Sequence, residues 1–275
     1  MDAEPESHAQ FEEDRLLQEI FGSRADGCCV EVGAYDGRTG SATYLFEQRG
    51  WRCLLIEPIP RLAEEIRRHR TGTVVNCAVS DREGTARFFV AERVEQMSTL
   101  DLTPEHLAWI EQVGGAIEEI EVRTATLDSV LAEAALPDIQ FVTIDVEGHE
   151  LAVLKGFTLE THRPRIVIIE NNSESLDPRA PSGDPRVELH MSEHGYVHFR
   201  RTGVNAWYAH ESDAELVRAD ELRRFQRARM RWRWARRGKF LSNRIATRVG
   251  SYIPAPVRRR LRQPFDYLRS KGSRL

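Results

Sequence analysis

The stretch "CCVEVGAYDGRTGSATYLFEQR", residues 28–49, decides how the chain is to be read. "CCVEV" (28–32) is an unbroken apolar run of strand length, and "SATYLFEQR" (41–49) carries helical periodicity. Between them fall Gly33, Gly37 and Gly40. Glycines at a strand-to-helix turn let the backbone bend sharply and come close to a bound group. The spacing is not G-x-G-x-x-G, and no Lys-Ser or Lys-Thr follows. A nicotinamide fingerprint and a phosphate loop are therefore both excluded. Glu31 and Asp36 flank the turn and would repel a pyrophosphate. They suit a cofactor that is neutral or cationic there, and S-adenosylmethionine, with a sulfonium beside an ammonium, has that character.

Outward from this stretch the same alternation continues. "RCLLIE" (52–57) reads as a second strand, "RLAEEIRRHR" (61–70) as a helix after Pro60, and "TVVNCAV" (73–79) as a third strand. "TARFFVA" and "EEIEVRTA" read as more exposed strands, and "LDSVLAEA" (127–134) as a helix capped by Thr126. "FVTID" and "RIVIIE" are further buried strands; "VELHMSEHGYVHFRR" and "NAWYAH" predict a helix and two closing strands. Strands alternating with helices predict an α/β fold with a mainly parallel sheet covered on both faces. Glu57, at the tip of the second strand and 20 residues after Gly37, is placed to accept both hydroxyls of an adenosine ribose.

Composition sets the outer limits. Of 275 residues, 41% are apolar and 30% charged, as in a soluble globular protein, and no apolar run reaches the roughly 18 residues of a membrane span. The polar, acidic start predicts neither signal nor transit peptide, hence a cytoplasmic protein. Cys28, Cys29, Cys53 and Cys77 sit in strand-like runs without a C-x-x-C pair and predict reduced core thiols. The net charge of -4 hides an asymmetry: residues 218–275 hold 19 of the 39 Lys+Arg but only 3 of the 43 Asp+Glu. Within them, Leu222, Phe225, Ala228, Trp232 and Ala235 form one apolar stripe among arginines. Such a helix suits an anionic membrane surface, with nucleic acid or a second subunit as rival partners. The expected organisation is an N-terminal extension (1–27), one catalytic domain (28–217) and this basic tail, possible site of peripheral contact at the inner membrane face.

"EVGAYDG", "LIEPIP", "NCAVSDREG", "TLDSVL", "IDVEGHELAVLKG" and "RIVIIE" occur in that order. Together they resemble the FkbM-type methyltransferases, S-adenosylmethionine-dependent enzymes that methylate hydroxyls. The resemblance implies the Rossmann-like class I methyltransferase fold, a seven-stranded sheet of order 3-2-1-4-5-7-6. It implies acceptors such as sugars, glycolipids or related natural products. It assigns Glu31, Gly33, Tyr35, Asp36 and Gly37 to the cofactor turn and Glu57 to the ribose. Asn76, Cys77 and Ala78 would border the adenine, with Ser98 of "MSTL" near the cofactor.

In such a sheet ligands lie outside the carboxyl ends of the strands. Asp145, ending "FVTID", and Glu170–Asn171, ending "RIVIIE", then face one crevice. Two carboxylates and an amide oxygen are hard ligands suited to Mg²⁺ or another divalent cation, a layout similar to that of catechol-type O-methyltransferases. The metal-free alternative makes His149 or Asp145 the general base, with Glu147 beside them. Glu150 is expected to serve the following helix. "HMSEH" (190–194) matches H-x-x-E-H, but the reading is an ordinary helix face. Rival functions are an RNA or DNA methyltransferase using the tail, a nicotinamide-dependent sugar dehydrogenase and a non-catalytic scaffold presenting the tail. "DVEG" stands where amino-methylating enzymes carry an Asn-Pro-Pro-Tyr-type tetrad, and no Tyr-x-x-x-Lys pair supports the dehydrogenase.

Overall fold

The three apolar runs become the middle of a sheet. β1 (Cys28–Val32), β7 (Ile139–Ile144) and β8 (Ile166–Glu170) are parallel neighbours, and only Glu170 among them falls outside the buried class. Parallel strands buried on both faces have no polar side to present, which is why alternation is absent from these runs. The computed structural model describes residues 6–22, 24–171 and 183–217. The expected long loop lies outside the described residues over 172–182, and so does the basic tail from 218 onward. The described residues all fall in one unit, Met1–Ala228.

β2 (Arg52–Ile56) and β3 (Thr73–Val75) extend the sheet on the β1 side. On the other side, β10 (Asn205–His210) runs antiparallel to β8 and pairs with β9 (Tyr196–Thr202). The order is β3-β2-β1-β7-β8-β10-β9. Numbered within this sheet alone, the seven strands read 3-2-1-4-5-7-6. Successive side chains of each strand supply opposite faces. Val30, Leu54, Val142 and Val167 meet helices α5 (Leu127–Ala134), α6 (Glu150–Lys155) and α8 (Pro185–Glu193) on one face. Cys29, Leu55, Phe141 and Trp207 meet α1 (Glu13–Phe21), α2 (Tyr44–Glu47) and α3 (Pro60–His69) on the other. Each fully buried aliphatic side chain contributes roughly 1.5–3 kcal/mol. All four cysteines are free and buried, and Cys29 and Cys53 are register partners with sulfurs 3.2 Å apart.

The expected strand at 73–79 is two strands. β3 ends at Val75, and β4 (Ala78–Val79) joins a separate sheet of order β4-β6-β5, with β5 (Gly84–Ala91) and β6 (Ile117–Ala125). The break falls where the Asn76 amide leaves the strand pattern to donate to the carbonyls of Glu57 (2.8 Å) and Pro58 (2.9 Å). The helix expected over 41–49 shrinks to Tyr44–Glu47, because Ser41 and Thr43 spend their hydroxyls on Glu31. A further helix, α4 (Pro104–Gln112), starts with Thr103 accepting from the His106 N–H and Pro104 in its first turn. A one-turn helix, α7 (Leu159–His162), precedes β8. Among the described residues no helix is long and apolar enough to cross a membrane.

Candidate functional site

The site is built where β1, β2, β7 and β8 end. Backbone bonds hold those ends in register: Asp145 N–H donates to Val32 (3.0 Å), and the N–H groups of Gly33 and Ala34 both donate to Ile56 (3.0 Å each). The residues next in sequence, Gly33, Glu57 and Asp145, therefore sit side by side and line one cavity of about 1330 Å³.

The glycine turn is held from below. Glu31 spends its carboxylate on the turn itself, accepting from Ala42 N–H (3.0 Å) and from the hydroxyls of Ser41 (2.7 Å) and Thr43 (2.5 Å). Burial raises its pKa, opposed by the Arg70 guanidinium and these bonds. Arg70, its side chain wholly buried, pairs with Glu47 (2.6 Å) and donates to the Gly37 carbonyl and Thr43 Oγ1. Asp36 also turns inward, accepting from Arg38 N–H, Thr39 N–H and the Thr39 hydroxyl at 2.7–2.8 Å. Of the five residues assigned to the cofactor turn, Glu31, Gly33 and Tyr35 line the cavity; Asp36 and Gly37 do not. Tyr35 has a positive φ of 50°, an unusual conformation for a tyrosine.

Glu57 accepts from the N–H groups of Tyr35 (2.9 Å) and Ile59 (2.8 Å), and no more than these two backbone donors and the Arg61 charge offset its burial. Its pKa is pushed up to about 8 by that burial. A folded-state pKa above the unfolded 4.5 means the native state holds the extra proton, so Glu57 lowers stability as pH rises from about 4.5 to 8. The expected result is a thermal midpoint that falls across this window, and falls less in Glu57→Gln. Parallel slopes in both proteins would remove Glu57 as the cause. Cys77, Ala78 and Ser98 line the same cavity, whereas Asn76 lies behind it. The Ser98 hydroxyl accepts from Ala91 N–H (3.0 Å).

Asp145, Glu147 and Glu170 form the centre, each offering an oxygen within 4.8 Å of the others. Asp145 is open to the cavity although it lies deep in the protein. Burial raises all three carboxyls. The charges of Asp145 and Glu150 add to this at Glu147, and those of Asp145, Glu147 and Glu150 at Glu170. Asp145 and Glu170 share a hydrogen bond, which favours the charged form of Asp145 and the protonated form of Glu170. Glu147 is held in a left-handed conformation (φ 55°), with its carbonyl accepting from the Thr99 hydroxyl (2.8 Å). Glu150 accepts from Gly148 (3.0 Å) and Val146 (3.3 Å) N–H groups, so it shapes the loop that presents Glu147.

Asn171 does not join the carboxylates. It is buried, accepts from Asp184 N–H (2.5 Å), bonds Tyr208 and lies off the cavity wall. Its place in the triad is taken by Glu147. His149 reaches the cavity, but both ring nitrogens are engaged, Nδ1 with Asp101 (2.6 Å) and Nε2 with Ser80 Oγ (3.0 Å). An ionised carboxylate only accepts, so Nδ1 carries a proton toward Asp101, while the Ser80 hydroxyl is shared between Nε2 and Asp81 Oδ1 (3.3 Å). His190 lies on α8 and His194 caps its end, rings 4.3 Å apart, off the cavity wall.

Several wall residues escape a reading of the sequence. His8, Gln10 and Glu13 come from the N-terminal segment, which Glu13 fastens by accepting from Thr202 (2.6 Å) and Asn205 (3.0 Å). Glu105, His106 and Trp109 come from α4. The Thr-Pro helix start at 103–104 is a signal that could have announced α4, but not what it covers.

The donor set fits S-adenosylmethionine. A buried carboxylate with only backbone donors can accept ribose hydroxyls, and the acidic lining suits a sulfonium. The volume exceeds the 300–1,000 Å³ of ordinary ligand pockets, so a cofactor and an acceptor fit together.

A family model described as the methyltransferase FkbM domain matches residues 31–197. Among solved structures, the chain is similar to a precorrin-6y C5,15-methyltransferase from Geobacter metallireducens GS-15, at 13% identity and TM-score 0.34, covering 75% of this chain and 93% of that one. An O-methyltransferase from Bacillus cereus bound to S-adenosylhomocysteine matches at 16% identity and TM-score 0.36, covering 75% and 83%. A SAM-dependent methyltransferase from Aquifex aeolicus matches at 13% identity and TM-score 0.33, covering 72% and 89%. No curated protein matches the chain.

Proposed function

The chain belongs to the FkbM methyltransferase family, and from that premise we propose that it carries the methyl group of S-adenosylmethionine to a hydroxyl of a saccharide or glycolipid. The observation that supports this reading most is the adjacency of Gly33, Glu57 and Asp145 on one cavity. It sets a cofactor turn, a ribose acceptor and a reactive carboxylate within reach of one another. The cofactor supplies a methyl group on a sulfonium, open to in-line displacement by an oxygen nucleophile.

The chain's own residues do the rest. Glu57 orients the ribose, and the turn held by Glu31 and Arg70 keeps Gly33 at the cofactor. Asp145, kept in its charged form by the hydrogen bond it accepts from Glu170, takes the hydroxyl proton onto its own carboxylate. His149, engaged at both nitrogens, acts in this reading by positioning the loop that carries Glu147. Asp145, Glu147 and Glu170 are oxygen donors of the type Mg²⁺ takes. A bound divalent ion would relieve their mutual repulsion and lower the pKa of an acceptor hydroxyl. The basic segment 218–275 is read, from its sequence, as the contact with an anionic membrane surface where a glycolipid acceptor would reside.

The test is transfer of labelled methyl from S-adenosylmethionine into extracted glycolipids, with RNA as the rival acceptor. Label in RNA and none in glycolipid would overturn the acceptor class. After chelation, turnover is expected to fall at least about tenfold and return with Mg²⁺. Full turnover after chelation would leave Asp145 as a metal-free base.

A further inference from the structure

The cavity is lined by more acidic residues than methyl transfer requires. Ten of its lining residues are Asp or Glu, and among the described residues none of its lining is Lys or Arg. The carboxylates of the glycine turn and the strand ends belong to the site above. Glu95, Asp101 and Glu105 do not; the first two come from the segment that leads into α4, and Glu105 from the first turn of α4 itself. One helical turn after Glu105, Trp109 lines the same cavity and is 43% exposed. Four large hydrophobic residues are exposed among the described residues, and Trp109 alone of these lines the cavity. An indole left open to water in a cleft is a surface for an apolar face to cover.

Carboxylates only accept hydrogen bonds, so an occupant of this wall must bring donors. A sugar ring does so: its hydroxyls donate around the edge, while its C–H face is apolar and matches the electron-rich face of an indole. A phosphate or carboxylate would bring further acceptors and a charge of the same sign, and the guanidinium of Arg61 beside this wall is already paired with Glu95. We infer that the acceptor binds against α4 as an uncharged saccharide ring, laid on Trp109 with a hydroxyl donated to Glu105. The cavity excludes rings that carry a phosphate or carboxylate. This deepens the saccharide reading above and rests on it. A charged group elsewhere on a larger acceptor would remain outside the cavity.

The test uses the purified full chain and labelled S-adenosylmethionine with two matched sets of acceptors. One set is a neutral hexoside, its phosphate ester and the corresponding uronic acid. The other is a simple aryl alcohol and its phosphate-bearing counterpart. The neutral hexoside is expected to exceed its anionic partners in kcat/KM by at least about 100-fold. Trp109→Ala is expected to raise KM about tenfold with kcat nearly unchanged, and Trp109→Phe to restore most of it. Glu105→Lys is expected to narrow the neutral-to-phosphate gap by about tenfold, a gain that a misfolded variant does not give. Equal turnover of neutral and anionic partners, or an unchanged KM in Trp109→Ala, would overturn the inference. Turnover of the aryl set alone would overturn the saccharide reading, while the exclusion of anions would still be scored by the ratio within that set. No turnover of either set, with S-adenosylhomocysteine still bound, would overturn both.

Discussion

Asp145→Asn is expected to lower methyl transfer by about 10²–10⁴-fold while S-adenosylhomocysteine binding stays within about threefold. The side chain is nearly isosteric, and the Asp145 N–H bond to Val32 belongs to the backbone, so the strand end keeps its place. What changes is charge. Asparagine cannot accept the acceptor's proton, cannot take the proton-sharing role opposite Glu170, and is a poorer ligand for a divalent ion. The same substitution removes one member of a set of like charges held within 4.8 Å. The thermal midpoint is therefore expected to stay level or rise, because catalytic carboxylates crowded in this way cost stability. Activity loss without stability loss separates a reacting residue from a structural one. A variant that keeps more than about a third of wild-type turnover would remove Asp145 from the chemistry, since general-base loss alone costs about 10²-fold or more.

Gly33→Ala carries the second large effect, and it is steric. At Gly33 (φ 83°) an added Cβ would stand 1.8 Å from the Asp145 carbonyl oxygen. That atom is backbone, at the end of a strand paired on both sides, and it cannot step aside without breaking the β1–β7 register. The expected result is a loss of at least about 3 kcal/mol, seen as a midpoint lowered by roughly 6–12 °C, together with cofactor affinity reduced beyond measurement. Gly40 provides the control. Its φ of 76° is nearly the same, but nothing lies within 4 Å of an added Cβ. Gly40→Ala should cost only the conformational term, about 1 kcal/mol, by denaturant titration. Equal losses at the two positions would show that φ alone, and not the close approach of two strand ends, makes Gly33 necessary.

Much of this site was legible before any coordinates. Glu57 and Asp145 stand at the ends of apolar runs, and a parallel sheet delivers every such residue to the same edge. Glu150 was expected to serve the following helix, whereas its carboxylate accepts from Gly148 and Val146 in the loop before that helix. Asp36 and Asn171 show the limit. Both were assigned to ligands on the strength of residue type and position. Yet Asp36 closes its own turn, and Asn171 is held by Asp184, 13 residues further on. A carboxylate or amide has several lone pairs and no way to announce, in sequence, which neighbour will claim them. Glu147 was read as a catalytic candidate beside Asp145, not as the third oxygen of the cluster with Glu170. Its membership of the triad depends on a left-handed backbone that Glu150 and Thr99 impose from either side.

By itself, the sequence determined the alternation of strands and helices, the buried middle of the sheet and the row of residues at its carboxyl edge. These follow from periodicity and chain direction, which are local properties read over five to ten residues. Only the tertiary structure decided which three carboxylates meet, that the run at 73–79 divides between two sheets, and that Trp109 and Glu105 line the same cavity. Each of these depends on contacts between separate segments, from the 18 residues that part Asn76 from Pro58 to the 48 that part Thr99 from Glu147, where packing and competing hydrogen bonds, not local preference, choose the partner.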